Sequence, residues 1–404
     1  MTTDSIKTDI VIVGGGIAGL WLANRLQQQG YNCLILEKGS LGGGQTVKSQ
    51  GIIHGGTKYT LTGTLTKSAE AISQMPSRWR QCLAGEGEID LTSVKVLSQH
   101  HYMWSTQGLG SKLTTFFASK ALRGRVNKLS KKEYPTVFQN PAFKGDLYQL
   151  DEVVLDVPTV IQALVKPVQQ STVQLTDNAQ IDWQVNEQGT LNKFIINDQN
   201  HQLAISAQHF VLTAGEGTQD ILNQLNFSTP QMQLRPLHMA MIKHPHPHPI
   251  YAHCIGAQAL PKMTITSHPT PDGQWVWYLG GAIAENGLDK STEEQIATAK
   301  QQIQQLLPWV DFSQAQWATF RVNRAEPKQS SLARPDAAYC QTQNNVSVCW
   351  PTKLALAPDL ADQIVEQLKT LSIQPNTTPA VLPDWLNSPT VSAPFWQEYF
   401  DEQL

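Results

Sequence analysis

The feature that most constrains the fold is a glycine-rich turn between an apolar run and a helical pattern near the start of the chain. The run DIVIVGGG has the continuous apolar character of a buried parallel strand and ends in a tight turn. The segment IAGLWLANRLQQQG then has helical spacing and stops at Gly30, and NCLILEKG is a second short apolar strand. The order strand, helix, strand predicts a βαβ unit with two parallel strands.

The turn carries the pattern GxGxxG at Gly14, Gly16 and Gly19, with Ala18 inside it. The first glycine permits the tight turn, the second lets the backbone approach a pyrophosphate, and the third lets the helix pack on the strand. Glu37 ends the second strand 18 residues after Gly19, where a carboxylate accepts hydrogen bonds from the ribose hydroxyls of an adenine nucleotide. Strand, turn, helix and acid together predict a dinucleotide-binding unit.

The rest of the chain mixes two kinds of pattern. LRPLHMAMIK, PKMTITSH, QWVWYLGGAIAE and WATFRVNR alternate apolar and polar residues, which predicts a largely antiparallel sheet with one solvated face. Between them, PTVIQALVKPV and QHFVLTAGEGTQDILNQL return to helix and strand–turn–helix patterns. We therefore expect an α/β fold. A discontinuous Rossmann-like domain (1–90, 151–230 and 325–372) carries an inserted α+β domain built on the antiparallel sheet (91–150 and 231–324), and a proline-rich, irregular tail (373–404) follows.

Charge and cysteine content argue against several classes of protein. The formal net charge is -3 over 404 residues, so no overall basic character indicates a nucleic-acid partner. The five cysteines are scattered without a CxxC pair, which favours reduced thiols in a cytoplasmic protein over a disulfide framework or a zinc site. The histidines of KHPHPHPIYAH suggest a metal at first sight. The alternating prolines instead predict an exposed, extended loop, and we predict no metal site.

The GxGxxG pattern alone does not distinguish NAD from FAD. A reductase with two nucleotides would need a second such unit, and GLGSKL and GEGTQD both lack the third glycine. The run GGGQTVKSQGIIHGG after the acidic strand suits the pyrophosphate and ribityl chain of a flavin, which need a long loop lined by small residues. VLTAGEG is a second glycine turn after a strand and suits backbone close to the adenine side of the same cofactor. These features predict FAD, with an NAD-only dehydrogenase as an alternative.

Several segments together resemble the D-amino-acid-oxidase superfamily of FAD-dependent oxidoreductases: DIVIVGGGIAGL with LILEKG, SQGIIHGGTKY, and VLTAGEG. Within it, IIHGGTKY is most similar to the His-Gly-Gly loop of the FAD-dependent glycerol-3-phosphate dehydrogenases, and the 2-hydroxyglutarate dehydrogenases are nearly as close. WPTKLALAPDLAD resembles the Gly-Lys-Leu segment that runs into their final helix beside the flavin. The resemblance is confined to separate short segments, which are distributed along the chain up to about Leu368.

The motifs and the resemblance together imply a set of site residues. The cofactor-binding candidates are Gly14, Gly16, Ala18, Gly19, Glu37, Lys38, Gln45, Thr46, Ser49, Gln50, Gly51, Ile53, Ala214, Gly215, Lys353 and Leu354. The catalytic candidates are His54, Lys58, Tyr59, Arg321 and Lys353. The loop from Ser49 to Tyr59 is thus expected to form a cofactor wall on one side and a substrate floor on the other.

The resemblance implies oxidation of a CH–OH or CH–NH group of a small, anionic substrate (2-hydroxy acid, glycerol 3-phosphate or amino acid) by hydride transfer to the flavin. A base must remove the heteroatom proton, and His54 is the natural candidate because histidine titrates near operating pH. Lys58, Arg321 and Lys353 are candidates to hold the anion. Arg321 and Arg324 lie three apart in FRVNR, so in a plain strand at most one faces the site, and the resemblance favours Arg321.

Two departures from the resemblance indicate a different substrate. Lys58 stands where the glycerol-phosphate enzymes carry arginine, so a phosphate would lose a bidentate partner. Trp350 and Pro351 replace a glycine-rich approach. A flavoprotein that serves as a maturation or assembly factor, and binds its partner through the tryptophan-rich tail, is the alternative in another functional class.

A basic segment at 112–132 bears on the electron acceptor. It contains no acid and the following cations: Lys112, Lys120, Arg123, Arg125, Lys128, Lys131 and Lys132. Leu113, Phe116, Phe117 and Ala121 fall at helical spacing. One interpretation is a solvated helix, and the other is a membrane-surface element that brings the flavin to a quinone. We expect quinone or oxygen as acceptor, in a cytoplasmic protein for which the second interpretation implies peripheral contact at the inner face of the membrane.

Overall fold

The structure, a computed structural model, describes residues 3–56, 67–105, 126–198, 201–256, 260–328, 337–376 and 378–401. The strands in these ranges are β1 (Thr3–Val13), β2 (Cys33–Glu37), β3 (Val96–Ser98), β4 (His101–Ser105), β5 (Val126–Lys128), β6 (Leu147–Leu150), β7 (Val154–Leu155), β8 (Thr172–Gln174), β9 (Gln180–Val185), β10 (Leu191–Asp198), β11 (His201–Leu212), β12 (Met232–His244), β13 (Ala252–Ile255), β14 (Met263–Pro269), β15 (Trp275–Gly280), β16 (Gln316–Pro327), β17 (Tyr339–Gln343) and β18 (Val346–Trp350). The α-helices are α1 (Ile17–Gln28), α2 (Lys67–Leu83), α3 (Val157–Val165), α4 (Thr218–Gln224), α5 (Ala282–Glu285), α6 (Thr292–Leu306), α7 (Ala357–Thr370) and α8 (Trp396–Asp401).

The first sheet contains the βαβ unit predicted from the glycine turn. Its strand order is β17-β18-β11-β1-β2-β8, and β10 and β9 extend it from β11 as antiparallel strands. Strand β1 lies between β2 and β11 and is parallel to both, with Val13 opposite Leu36 and Leu212. The carboxyl ends of three strands therefore meet at one edge, next to the glycine turn. Ligands bind outside this edge in open α/β sheets.

The second sheet is formed by the middle of the chain. Its order is β16-β12-β15-β14-β13-β4-β6-β5, and among these neighbours only β13 and β4 are parallel. The chain passes from the first sheet to the second and back, with β11 in the first, β12 in the second and β17 in the first again. The predicted α/β fold with a largely antiparallel second sheet is thus confirmed, whereas the domain boundaries stay a prediction.

The expected solvated face is wrong for the central strands of the second sheet. Trp277 and Leu279 of β15 point into one hydrophobic core, together with Ile303 of helix α6. Tyr278, between them, points into another core, together with Phe395 near the end of the chain. Residues of β15 do alternate between the two faces, but both faces are covered, so the alternation does not report exposure.

The C-terminal tail is largely irregular, as predicted, but it packs on the body of the protein. Leu41, in the loop after β2, receives a backbone hydrogen bond from Ser392 and donates one to Thr390. The ring centroids of Phe395 and Phe320 are 4.7 Å apart, and helix α8 follows directly. The tail therefore bridges a loop of the first sheet and the second sheet.

Most of the basic segment lies outside the described residues, including 112–125 and the predicted helix. In the described remainder, Lys128 forms an ion pair with Asp146 at 2.8 Å, and Lys131 and Lys132 lie exposed on a short 3-10 helix. Within the described ranges, no helix has the length and apolar character needed to cross a membrane.

Candidate active site

A cavity of about 1330 Å³ opens where the carboxyl edge of the first sheet meets the second sheet. Ligand pockets typically measure about 300–1,000 Å³, so this cavity has room for a large cofactor and a substrate together. It is lined by every described cofactor-binding candidate except Gly19 and Ile53. Ile53 is fully buried behind the wall and donates its backbone N–H to Val153.

The glycine turn is built as its sequence predicts. Gly14 has φ +111°, and a β-carbon there would lie 2.5 Å from the carbonyl oxygen of Thr213. A β-carbon on Gly19 would clash with the carbonyl oxygen of Gly14. Glycine is therefore needed at this position for the helix to pack on the turn, although Gly19 does not line the cavity. Helix α1 then begins at Ile17, whose N–H donates to the Thr46 hydroxyl at 3.0 Å. The N-terminus of α1 therefore faces the cavity, where its dipole favours an anion.

Glu37 is held at the mouth of the cavity by the backbone. One carboxylate oxygen accepts from the N–H of Gly15 and the other from the N–H of Gly39, each at 2.6 Å. A carboxylate has about four lone-pair sites, so acceptor capacity remains for ribose hydroxyls. The Lys38 side chain is 71% exposed and pairs with Asp177 at 3.6 Å.

The loop after β2 supplies a polar wall. The Ser49 hydroxyl is buried there without a hydrogen-bond partner among the described residues. The Gln50 amide donates to the carbonyl oxygens of Thr264 and Tyr278 at 3.3 and 3.4 Å, which ties the loop to the second sheet. An unsatisfied buried hydroxyl in the same cavity as a helix N-terminus fits a ligand with phosphate and hydroxyl groups, as FAD has.

His54 lies on the cavity wall and is backed by a buried carboxylate. Its Nδ1 is 3.3 Å from Oε2 of Glu152, and the side chains are 27% and 1% exposed. The other oxygen of Glu152 accepts from the Gly55 N–H at 3.1 Å. The bridge between Ile52 and Val154 holds the two segments in register. Glu152 is thus placed to fix the orientation of the His54 ring and to keep a proton on Nδ1.

Two more histidines extend this cluster. The rings of His253 and His54 are stacked with centroids 6.1 Å apart, and His101 lies 4.1 Å from His253. Nδ1 of His253 is 2.8 Å from the Thr264 hydroxyl. His54, Glu152 and His253 bring ligating atoms within 4.8 Å of one another. Such atoms are also metal-ligand types, so the absence of a metal site stays a prediction.

His253 belongs to the segment KHPHPHPIYAH, for which an exposed loop was the wrong expectation at both ends. His244 and His253 are fully buried because they lie on β12 and β13. Burial lowers the pKa of His244 to about 3. The prolines interrupt only the turn between the two strands.

The structure places Arg324, rather than Arg321, on the cavity wall. The guanidinium of Arg321 donates to the carbonyl oxygens of Leu288 and Lys290 at 2.9 and 2.8 Å, outside the cavity. Strand geometry allows at most one of the two arginines to face the cavity, and the one that does is not the one that the resemblance favoured. Lys353 lines the cavity, whereas Lys58 and Tyr59 lie outside the described residues.

Arg324 has a second arginine beside it. Arg235 on β12 is its register partner across β12 and β16, and both line the cavity. Arg235 pairs with Glu326 at 2.7 Å, and Arg324 lies 3.6 Å from Glu285. These ion pairs orient the two guanidinium groups at the cavity wall.

Comparison with known proteins agrees with this architecture. The family model described as "FAD dependent oxidoreductase" (DAO) matches residues 9–340. This chain belongs to the DAO family of FAD-dependent oxidoreductases. Its cofactor is FAD, as predicted, and the NAD-only alternative is discarded.

One relative is similar to this chain in sequence and fold, and two solved structures are similar in fold. The Probable FAD-dependent oxidoreductase PA4991 of Pseudomonas aeruginosa is 48% identical over 397 residues, which is 98% of this chain and 99% of that protein. Its crystal structure superposes with a TM-score of 0.83. Glycine oxidase from Geobacillus kaustophilus has a TM-score of 0.63 at 14% identity and covers 92% of this chain and 99% of its own. L-α-glycerophosphate oxidase from Mycoplasma pneumoniae has a TM-score of 0.63 at 13% identity, with 96% and 98% covered. At these identities the two oxidases show the fold alone.

Sequence reasoning missed Glu152, His253 and Arg235. Glu152 precedes the apolar run VVLDV, and an acid next to a buried strand is a signal that could have been followed. Arg235 carries no such signal, because it is one polar residue in an alternating strand. His253 lies in the histidine-rich segment KHPHPHPIYAH, which the prolines led us to interpret as an exposed loop.

Proposed function

We propose that this enzyme oxidises a CH–OH or CH–NH group of a small anionic molecule and that His54 removes the heteroatom proton. FAD, when bound, supplies the hydride acceptor. The observation that carries the proposal is the His54–Glu152 pair on the wall of the cavity. With the Nδ1 proton held toward the Glu152 carboxylate, Nε2 is the ring nitrogen that can accept a proton from the substrate.

The buried carboxylate has a defined part in this step. When His54 takes the substrate proton it becomes a cation, and the Glu152 carboxylate at 3.3 Å stabilises it. Glu152 is a positioning residue, since it acts through His54. The His253 ring, stacked parallel to His54, limits the positions that the His54 ring can adopt.

The anionic end of the substrate is assigned to Arg324 and Lys353, with Arg235 beside them. These cations line the cavity that His54 also lines. Charge-assisted hydrogen bonds to a carboxylate or phosphate are roughly twice as strong as neutral ones. The compensating acids Glu326 and Glu285 reduce the net charge of the pocket, which favours a carboxylate over a more highly charged phosphate. We therefore place 2-hydroxy acids and amino acids before glycerol 3-phosphate.

The test is a substrate panel read by anaerobic bleaching of the flavin. The panel contains 2-hydroxy acids, D- and L-amino acids, N-methyl amino acids and glycerol phosphates. We expect one carboxylate class to bleach the flavin in wild-type protein and to fail with His54→Asn. Asp151→Asn is the matched control, because Asp151 is half-exposed and pairs with Arg80 outside the cavity. If no member of the panel bleaches the flavin of FAD-loaded protein, the proposed reaction is wrong. A role as a maturation or assembly factor would then be the better hypothesis.

The electron acceptor decides between an oxidase and a dehydrogenase. We propose dioxygen or a membrane quinone, and mixing the reduced enzyme with each separates them by rate. A quinone would require contact with the membrane, for which 112–132 is the proposed segment. Sedimentation with anionic and neutral vesicles at low and high salt tests this, since attraction of cations to an anionic surface weakens as salt rises. Binding to anionic vesicles that is lost at high salt is the expected result, and failure to sediment at low salt would remove the membrane role.

A further inference from the structure

Two cysteines meet at the cavity and have no part in the proposed reaction. Cys340 on β17 and Cys349 on β18 are register partners in an antiparallel hairpin. Their sulfur atoms lie 3.4 Å apart. Cys349 also lines the cavity, directly before the segment Trp350 to Leu354, which continues the same wall. A chemical change at this pair would therefore occur at the edge of the FAD site.

The two thiols have different environments. Cys340 is half-buried, and the hydrogen bond from Cys349, with further hydrogen bonding from Thr342 and Ser347, lowers its pKa. Cys349 is buried, and burial raises its pKa above the ordinary range. A partly accessible thiol with thiolate character next to a second thiol is the arrangement of oxidant-sensitive cysteines. Cys340 would react first and Cys349 would resolve.

The hairpin has room to close a bond. Directly opposite residues in an antiparallel pair have β-carbons about 4.5–5.5 Å apart, and a disulfide needs about 3.5–4.5 Å, so the strands must approach by on the order of 1 Å. Among the described strands, β17 lies at the end of the first sheet and pairs with β18 alone. A two-residue turn, Asn344 and Asn345, connects it to β18. A shift of this size at the end of a sheet strains one ladder of backbone hydrogen bonds, whereas in a central strand it would strain two.

We propose that Cys340 and Cys349 are a modification site at which hydrogen peroxide closes a reversible disulfide on the wall of the FAD cavity. The Cys340 sulfur attacks one peroxide oxygen, the O–O bond breaks, and sulfenic acid and water form. The Cys349 sulfur then attacks the sulfenic sulfur, the S–S bond forms, and the hydroxyl leaves as water with the thiol proton. Two thiols and one peroxide give one disulfide and two waters, and the two electrons pass from sulfur to oxygen. The proposal depends on neither His54 nor the identity of the substrate.

The experiment uses the reduced, FAD-loaded, full-length protein. The protein is treated with hydrogen peroxide for increasing times, and the reaction is stopped with catalase. The protein is then denatured and alkylated, and the masses of its tryptic peptides are measured by mass spectrometry without reduction. Cys340 and Cys349 fall in one tryptic peptide, which should lose both alkyl groups and the mass of two hydrogens. Dithiothreitol should restore both alkylation sites. Cys82 and Cys254 are internal controls in the same sample, because burial raises the pKa of both.

We expect the pair to be oxidised at least tenfold faster than the two control cysteines. In Cys349→Ser, Cys340 should stop at sulfenic acid and react with dimedone, whereas in Cys340→Ser, Cys349 should stay reduced. Oxidation of the pair at the rate of Cys82 and Cys254, or a disulfide to any other cysteine in its place, would overturn the proposal. Since the wild-type comparison is sufficient by itself, a variant that fails to fold does not affect the outcome.

Discussion

Replacement of Glu152 by glutamine tests the His54 arrangement with almost no change in shape. One Glu152 oxygen accepts from the Gly55 N–H at 3.1 Å, so the glutamine oxygen is expected to keep that place. The amide nitrogen then faces Nδ1 of His54, where Oε2 now lies at 3.3 Å. Because an amide NH₂ only donates, Nδ1 must become an acceptor and the ring proton must move to Nε2. The nitrogen that should accept the substrate proton would then already carry one.

The expected loss can be worked from these contacts. Glu152 is 1% exposed, so solvent does not replace the missing charge beside the imidazolium. A general base in the wrong tautomer forfeits its contribution, typically 10²–10⁴-fold. We expect the limiting rate of flavin reduction to fall by about 10²–10³-fold, which corresponds to about 2.7–4.1 kcal/mol of transition-state stabilisation.

The assay is anaerobic stopped-flow reduction of the flavin with the best member of the panel at increasing concentration. The limiting rate should fall, while the half-saturating concentration changes less than about threefold, because Glu152 acts on the proton acceptor and not on the anion. Glu152→Asp should restore part of the rate, and Asp151→Asn should leave it unchanged. FAD content and thermal midpoint are measured on each variant. A Glu152→Gln enzyme that retains FAD and reduces it within about threefold of the wild-type rate would refute the role of Glu152.

Other sites allow shorter tests. Gly16→Val should lose FAD, because Gly16 lines the cavity at the N-terminus of α1 and a β-carbon added there would lie 3.2 Å from the Thr46 hydroxyl. The ratio of flavin to protein absorbance after purification measures the loss, and stoichiometric FAD would contradict it. Arg324→Ala should raise KM about tenfold or more, because loss of one charge-assisted hydrogen bond costs roughly 1.5–3 kcal/mol. Arg321→Ala should change KM less than about threefold. Equal effects of the two substitutions would contradict the assignment of Arg324 to the anionic end of the substrate. Burial lowers the pKa of His268 from 6.5 to about 3, so below pH 6.5 the unfolded chain binds a proton that the folded protein does not. The free energy of unfolding should therefore fall as pH falls from 6.5 toward 3, by about 1.4 kcal/mol for His268 at pH 5.5, and urea unfolding at pH 7.5 and 5.5 should show a smaller difference in His268→Gln.

The features that could be predicted from sequence are those set by neighbouring residues. The turn at Gly14 needs a positive φ and a close backbone approach, and only glycine meets both conditions, so a short pattern specifies it. The strands and helices of the βαβ unit follow from contiguous apolar periodicity, and FAD followed from the small-residue loop and a second glycine turn. Even the expectation that at most one of Arg321 and Arg324 faces the cavity is local, since it depends only on strand geometry.

The tertiary structure decided which of the two arginines faces the cavity. Side chains alternate along a strand in the same way whichever face of the second sheet packs toward the first sheet, so alternation cannot tell Arg321 from Arg324. The same holds for the expected solvated face, which is covered by helix α6 on one side and the tail on the other. Glu152 lies 98 residues from His54 in sequence, and His253 comes from a strand of the other sheet. The packing of distant segments brings these groups within a few ångströms, and no pattern along the chain encodes that distance. The sequence alone thus determined the cofactor, and only the tertiary structure assembled the groups around the reacting proton.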